Sequence, residues 1–294
     1  MITKDHVFYS EGCKIKAALY LPDDYKEGEK RPCIMPNSGY MGLRAIYPVL
    51  FARAFTAKGY ICFGFDYRGF VDSEGYSGVC LLDNEVQDIR NAYAYVKTLP
   101  EVDSEKIGIL GWAMGASVVT SVAAKEKGIK AVAGLNGFYD GERWLRAVHT
   151  YADFRRLRQE MDEERARFAR EGTRKFSDPF YFYPLDPATR DVVNQALYPV
   201  SGFGQQISLE LGQSILEFRA QDYAATLGKP MFIAHGKYNL LHPVEESLAM
   251  YEALTGEKEL LLLEGKHNDF MFDDHAVFKG LIDKLTTFFK KHVG

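Results

Sequence analysis

Three stretches of the chain place chemistry-bearing residue types where strands would end. The first is Gly111-Trp112-Ala113-Met114-Gly115-Ala116, between the apolar run Ile107-Gly108-Ile109-Leu110 and the helix-forming run from Ser117 to Ala124. Two flanking glycines permit a sharp strand–turn–helix connection that pushes the residue between them into a site. The helix start then aims backbone N–H groups and a partial positive charge at developing negative charge. The projecting residue is Ala113, and a methyl group cannot attack a carbonyl carbon or form an acyl intermediate. The second stretch, Glu264-Gly265-Lys266-His267-Asn268-Asp269-Phe270, offers His267 as a proton carrier. The third, His235-Gly236-Lys237-Tyr238-Asn239-Leu240-Leu241-His242-Pro243-Val244, offers the amide of Asn239.

Strand-like and helix-like segments alternate around these stretches. Apolar runs at 17–21, 32–36, 60–66, 106–111, 131–136, 230–235 and 259–264 read as strands, several without polar alternation. That pattern suits parallel strands covered on both faces. Between them, Val86, Ile89, Tyr93 and Val96 recur at helical spacing up to Pro100. The alternation predicts a doubly wound, mostly parallel α/β sheet, with ligands bound beyond the carboxyl ends of its strands. Residues 141–228 break the rhythm, with an Arg- and Glu-dense helix over 155–171 and an aromatic, proline-rich stretch over 176–184. The chain is therefore read as a core of 1–140 and 229–294 carrying a helical cap insertion over 141–228. The charges on the 155–171 helix are read as a solvated face.

On these motifs the chain resembles the α/β-hydrolase superfamily, near its dienelactone-hydrolase-like and bacterial esterase branches. Asp66-Tyr67-Arg68-Gly69-Phe70 with Asp72-Ser73-Glu74-Gly75 is similar to the family's D-x-R-G-x-G-x-S segment, with Val71 where glycine is common. Pro36-Asn37-Ser38-Gly39-Tyr40-Met41-Gly42 is similar to its H-G-F-x-G loop, with Ser38 replacing the usual histidine. The resemblance implies an α/β-hydrolase fold and an oxyanion hole made by the backbone N–H groups of Tyr40 and Met114. It places Ala113 at the position of the serine nucleophile, His267 at the catalytic histidine and Asn239 at the acid. Ser38 and Trp112 are expected in the pocket wall. An amide cannot stabilise imidazolium by charge, and the same change in a serine protease costs about 10⁴ in turnover. Asp140, just past the fifth strand, is the alternative acid. Ser117 lies one helical turn after Ala113, so its hydroxyl should face away from the site.

Three functions stay open at this point. One is a serine hydrolase of esters, thioesters or lactones whose nucleophile position here holds alanine. Another is a non-hydrolytic enzyme using His267 as acid–base for elimination, cyclisation or lyase chemistry. The third is a ligand-binding pseudoenzyme.

Composition bounds the partners. The chain has 294 residues, is 47% hydrophobic and 26% charged, and carries a net charge of -4. An acidic balance argues against nucleic acid. No apolar run approaches the roughly 20 residues that span a bilayer, and the N-terminus lacks a basic-then-apolar signal pattern. Four cysteines without paired spacing argue against zinc and for a cytoplasmic, reducing compartment. No dinucleotide or phosphate-loop fingerprint appears, so no cofactor is expected. The expected partner is a small molecule, and a homodimer through the cap or the last helix is compatible with the sequence.

Overall fold

The computed structural model describes residues 1–294. The chain opens with a hairpin of β1 (Ile2–Ser10) and β2 (Cys13–Leu21), followed by β3 (Arg31–Asn37), α1 (Tyr47–Thr56) and β4 (Ile61–Phe65). Next come α2 (Leu82–Val96), β5 (Val102–Trp112), α3 (Met114–Lys125) and β6 (Ala131–Leu135). The insertion holds α4 (Gly141–Val148), α5 (Tyr151–Glu171), β7 (Phe176–Ser177), α6 (Pro187–Val192), β8 (Ile207–Ser208) and α7 (Glu210–Glu217). The core resumes with β9 (Met231–Gly236), α8 (Val244–Ala253), β10 (Lys258–Leu263) and α9 (Ala276–His292).

Eight strands form one sheet in the order β1-β2-β4-β3-β5-β6-β9-β10. The first three are antiparallel neighbours, and every pairing from β4 to β10 is parallel. The central strands β4 and β6 are buried along their whole length, as parallel strands covered by helices must be. After β3 the chain moves to one side for β4, then crosses to the other side for β5. The carboxyl ends of β3 and β5 therefore bound a topological switch point, where open α/β sheets bind their ligands.

The sequence reading lacked β1. Its burial is low along most of its length, and Lys4, Asp5 and His6 interrupt any apolar pattern. Charged side chains on an edge strand guard its open hydrogen-bonding groups, and they also hide it from a hydropathy reading. The segment 141–228 is not wholly helical. It contains the short ribbon β7–β8, and its C-terminal end, Ala220–Thr226, packs against α3 and α8 of the core. On α5, Phe154, Leu157 and Met161 are buried, Glu164 is buried with Arg167 bound to it, and Arg156 pairs with Asp153 on the outer face. The apolar stripe of α9 (Phe278, Leu281, Ile282, Leu285, Phe288 and Phe289) is buried inside the core. No helix is long and apolar enough to cross a membrane.

Candidate active site

The turn after β5 has the backbone that the sequence implies. Ala113 takes φ 53 and ψ -122, a region that side-chain-bearing residues rarely enter. Its N–H donates to the Leu135 carbonyl at 2.8 Å, which fastens the turn to the end of β6. The glycines are needed for proximity. A β-carbon on Gly115 would run into the Ser38 carbonyl, and one on Gly39 into the Trp112 carbonyl. The loop after β3 thus lies directly against the elbow.

That contact brings two backbone donors together. Met114 opens α3, so its N–H is among the first four of the helix and has no intrahelical acceptor. The Tyr40 N–H donates to no group of the protein. Ser38 borders the cavity, but its hydroxyl donates to the Leu43 carbonyl at 2.8 Å and is occupied in shaping the loop. The Ser117 hydroxyl donates to the Phe138 carbonyl, away from the elbow as expected.

Ala113 and His267 border one cavity of about 60 Å³. Its walls include Tyr40, Tyr47 and Trp112 from the core and Phe180, Tyr183 and Phe203 from the insertion, and no wall residue is charged. Tyr40 joins the two parts. Its ring stacks on Tyr183 with centroids 4.7 Å apart, and its hydroxyl donates to the Pro179 carbonyl. Trp112 is fully buried, stacked on Tyr47 at 4.6 Å and edge-on to His267 at 5.5 Å. A larger groove of about 580 Å³ lies between α2, α3, α5 and α7. It is lined by mixed charges and touches none of the elbow, oxyanion-loop or histidine residues. The small apolar cavity therefore marks the site.

His267 is 4% exposed, and burial together with its neighbours His242 and His235 holds its pKa well below the usual histidine value. A neutral imidazole carries one N–H and one lone pair. The His267 Nδ1 is buried with no hydrogen-bond partner, and the residue lines the cavity.

Neither sequence candidate for the acid reaches that nitrogen. Asn239 is 5% exposed, but its Oδ1 accepts from the N–H groups of Leu241 and His242 at 3.1 and 2.9 Å. Its Nδ2 lies 3.2 Å from the His235 Nε2. The amide builds its own loop, a role open to Asx side chains generally. Asp140 caps α4 by accepting from the Arg143 N–H at 3.0 Å, and it pairs with Arg219 at 3.1 Å. Helix capping and the arginine, rather than His267, take up its carboxylate.

Two residues given no role in the sequence analysis lie beside His267. His242 is fully buried, and its ring lies 5.1 Å from that of His267 between centroids, at 79°. Its Nδ1 is 2.7 Å from the Asn136 carbonyl, while its Nε2 is buried and unpartnered. Asn136 has φ 50, which asparagine tolerates better than most residues. Its Nδ2 donates to the His267 carbonyl at 2.9 Å, and its Oδ1 accepts from the Gly236 N–H at 2.8 Å. One side chain thus ties the ends of β6 and β9 to the histidine loop. The strand-end position of Asn136 was the available signal. For His242 the only signal was a second histidine three residues after the family's acid position.

Comparison with known proteins places the chain in a family. The family model described as "X-Pro dipeptidyl-peptidase (S15 family)" matches residues 11–269. The chain belongs to this S15 family. The match spans both core segments and the insertion, and it sets the chain among α/β-hydrolase-type enzymes. Among relatives, the quorum-quenching protein AidA of Acinetobacter baumannii is 34% identical over 138 residues, 47% of this chain and 44% of that protein. The acyltransferase drtE of Aspergillus calidoustus is 23% identical over 284 residues, 91% of this chain and 89% of that protein. A hypothetical protein of Pseudomonas aeruginosa has a similar solved structure, with TM-score 0.84 at 21% identity. That likeness covers 99% of this chain and 94% of the other. It is a likeness of fold: the doubly wound, mostly parallel sheet of the α/β-hydrolases.

Proposed function

We propose that this S15-family chain is an acid–base enzyme acting on a small, largely apolar or aromatic carbonyl compound without an acyl intermediate. One observation carries the reading. A methyl group occupies the strained elbow, while a neutral histidine and an unpaired backbone donor face the same uncharged cavity.

Such a site can move a proton. The His267 Nε2 takes a proton from the carbon next to a carbonyl, and the bond's electrons pass to the carbonyl oxygen. The N–H groups of Tyr40 and Met114 stabilise that oxygen in an uncharged, mostly apolar cavity. Returning the proton elsewhere gives isomerisation; loss of a leaving group from the β-carbon gives elimination; and attack of the carbanion on a second carbonyl of the same molecule, whose C=O π electrons pass to oxygen and take the proton from His267, gives ring closure. A base of depressed pKa is always in its active form, but it draws the proton weakly. The oxyanion donors must therefore lower the substrate's acidity barrier. The relatives named for quorum quenching and for acyl transfer support a small molecule and an acyl or carbonyl group. A ligand pocket commonly measures about 300–1,000 Å³. Entry of substrate thus requires the Tyr183 and Phe180 side of the insertion to move off Tyr40.

The test uses a panel of aromatic and aliphatic ketones and β-keto esters in D₂O, with exchange at the α-carbon followed by proton NMR. Exchange should depend on the protein and fall by about 10²–10⁴-fold in His267→Ala. Equal exchange in that variant overturns the proposal.

A second reading rests on the elbow itself. The positive φ at Ala113 serves to project a nucleophile, and alanine gains nothing from the strain. On that reading the activity is hydrolysis of an ester, thioester or lactone from position 113. Ala113→Ser should then react with a fluorophosphonate and cleave short p-nitrophenyl esters. Absence of labelling in a folded Ala113→Ser variant counts against it. If neither variant reveals chemistry but apolar carbonyl compounds bind, the chain is a ligand-binding member of its family.

A further inference from the structure

We infer that His242 takes the place of the missing acid, holding the His267 Nδ1–H and sharing its proton in a two-histidine relay. The inference rests on His267 acting as a base.

The tautomers follow from the hydrogen bonds. A carbonyl oxygen can only accept, so the His242 Nδ1, 2.7 Å from the Asn136 carbonyl, carries that ring's proton. Its Nε2 is then a lone pair, buried and unpartnered. The adjacent ring of His267 has one nitrogen in the same condition, its Nδ1. Two buried lone pairs side by side would repel and leave two polar atoms unsatisfied. A proton on the His267 Nδ1 removes both penalties. The centroid separation of 5.1 Å leaves room for one N–H···N bond of about 3 Å between the rings, given a small rotation of His267.

The consequence is directional. With Nδ1 protonated, the His267 lone pair is on Nε2, the nitrogen that can face substrate. When Nε2 accepts a proton, the Nδ1 proton can pass to the His242 Nε2. The positive charge then rests on His242, whose Nδ1–H remains bonded to Asn136. The return of substrate's proton reverses both transfers, so no charge or atom is left over. The other titratable groups packed near the pair are His235 and Tyr183, with Tyr40 and Tyr47 lining the same cavity. No carboxylate acts on either ring. This is why the pair stays neutral at rest, unlike a histidine held by an aspartate.

His242 is thus a positioning residue, and its test reads the tautomer directly. Two-bond ¹H–¹⁵N correlation spectra of the ¹⁵N-labelled protein distinguish Nδ1–H from Nε2–H histidines. His267 should be Nδ1–H in the wild type. In His242→Phe it should become a mixture or shift to Nε2–H, and His242→Gln, which retains an acceptor, should restore Nδ1–H. An Nε2–H His267 in the wild type overturns the inference even if no variant folds. So does an Nδ1–H His267 that is unchanged in a folded His242→Phe. The outcome is separable from the proposed function. Exchange lost in His267→Ala with the wrong tautomer removes the relay alone; the right tautomer without His267-dependent exchange removes the function alone.

Discussion

The two sides of the cavity differ in what holds them. On the elbow side the chemistry is carried by backbone: the Ala113 turn, the start of α3, and the Tyr40 N–H pressed against it by Gly39 and Gly115. On the histidine side it is carried by side chains: His267, His242, His235, Asn136 and Asn239, joined by hydrogen bonds. A backbone site needs only the fold and the small residues that permit close approach. A side-chain site can be rewritten residue by residue while the strands stay in place. That difference lets a chain match its family model over residues 11–269 while individual side chains at the strand ends vary.

The sharpest way to break the comparison is to cut the side-chain ties that hold the histidine side together. Asn136→Ala removes a buried donor to the His267 carbonyl and a buried acceptor for the Gly236 N–H, and it puts alanine at φ 50. Two stranded backbone groups and the backbone strain should together cost about 3–5 kcal/mol of stability. Urea denaturation measures the loss. Hydrogen exchange should show faster opening of 236–242 and 265–270, with little change in α3. Equal loosening of α3 would mean that the two sides are one unit.

The same contrast governs what the sequence disclosed. The elbow, the sheet and the approach of the 36–42 loop were legible because glycine spacing and apolar runs dictate backbone. His267 was found by its place after the last parallel strand. The partners on the histidine side were not legible, because a hydrogen bond depends on where loops turn. Asn239 looks like an acid's replacement in the string of letters. In space its Oδ1 is occupied by the two N–H groups that follow it. Asp140 did carry a readable signal, an Asp before Gly141-Glu142-Arg143, which is how helices begin. It caps α4 accordingly.

A second prediction uses protons. The elbow side holds no histidine, whereas burial lowers the pKa of His235 to about 4 and that of His242 to about 3, and holds that of His267 well below the usual histidine value. Unfolded histidines titrate near 6.5, so below that pH the unfolded chain binds more protons than the native one. Each such histidine then lowers stability by up to about 1.4 kcal/mol per pH unit as pH falls from 6.5 toward its native value. Glu85 and Asp66, whose buried carboxyls are shifted upward, bind protons earlier in the native state and oppose this slope. The difference between proteins is therefore the informative quantity. Between pH 6 and 4.5 the stability of His242→Phe should fall less steeply than that of the wild type, by about 1.4 kcal/mol per pH unit. Denaturant titrations at several pH values measure both slopes, and parallel slopes would show that His242 is not a neutral buried base.

The smallest effect tests the elbow side alone. Alanine at φ 53 and ψ -122 stores strain that glycine would not feel, because the clash is between the β-carbon and its own backbone. Glycine also frees the unfolded chain, which offsets part of the gain. The balance should leave Ala113→Gly more stable by about 1 kcal/mol, seen as a higher denaturation midpoint with an unchanged slope. The His267 tautomer should not move, since no hydrogen bond joins the Ala113 side chain to the histidine side. Destabilisation would mean that the Ala113 methyl is held by favourable packing against the cavity wall. The strained turn would then owe its persistence to side-chain contacts, as the histidine side does, and the contrast between backbone-built and side-chain-built halves would fail at its strongest point.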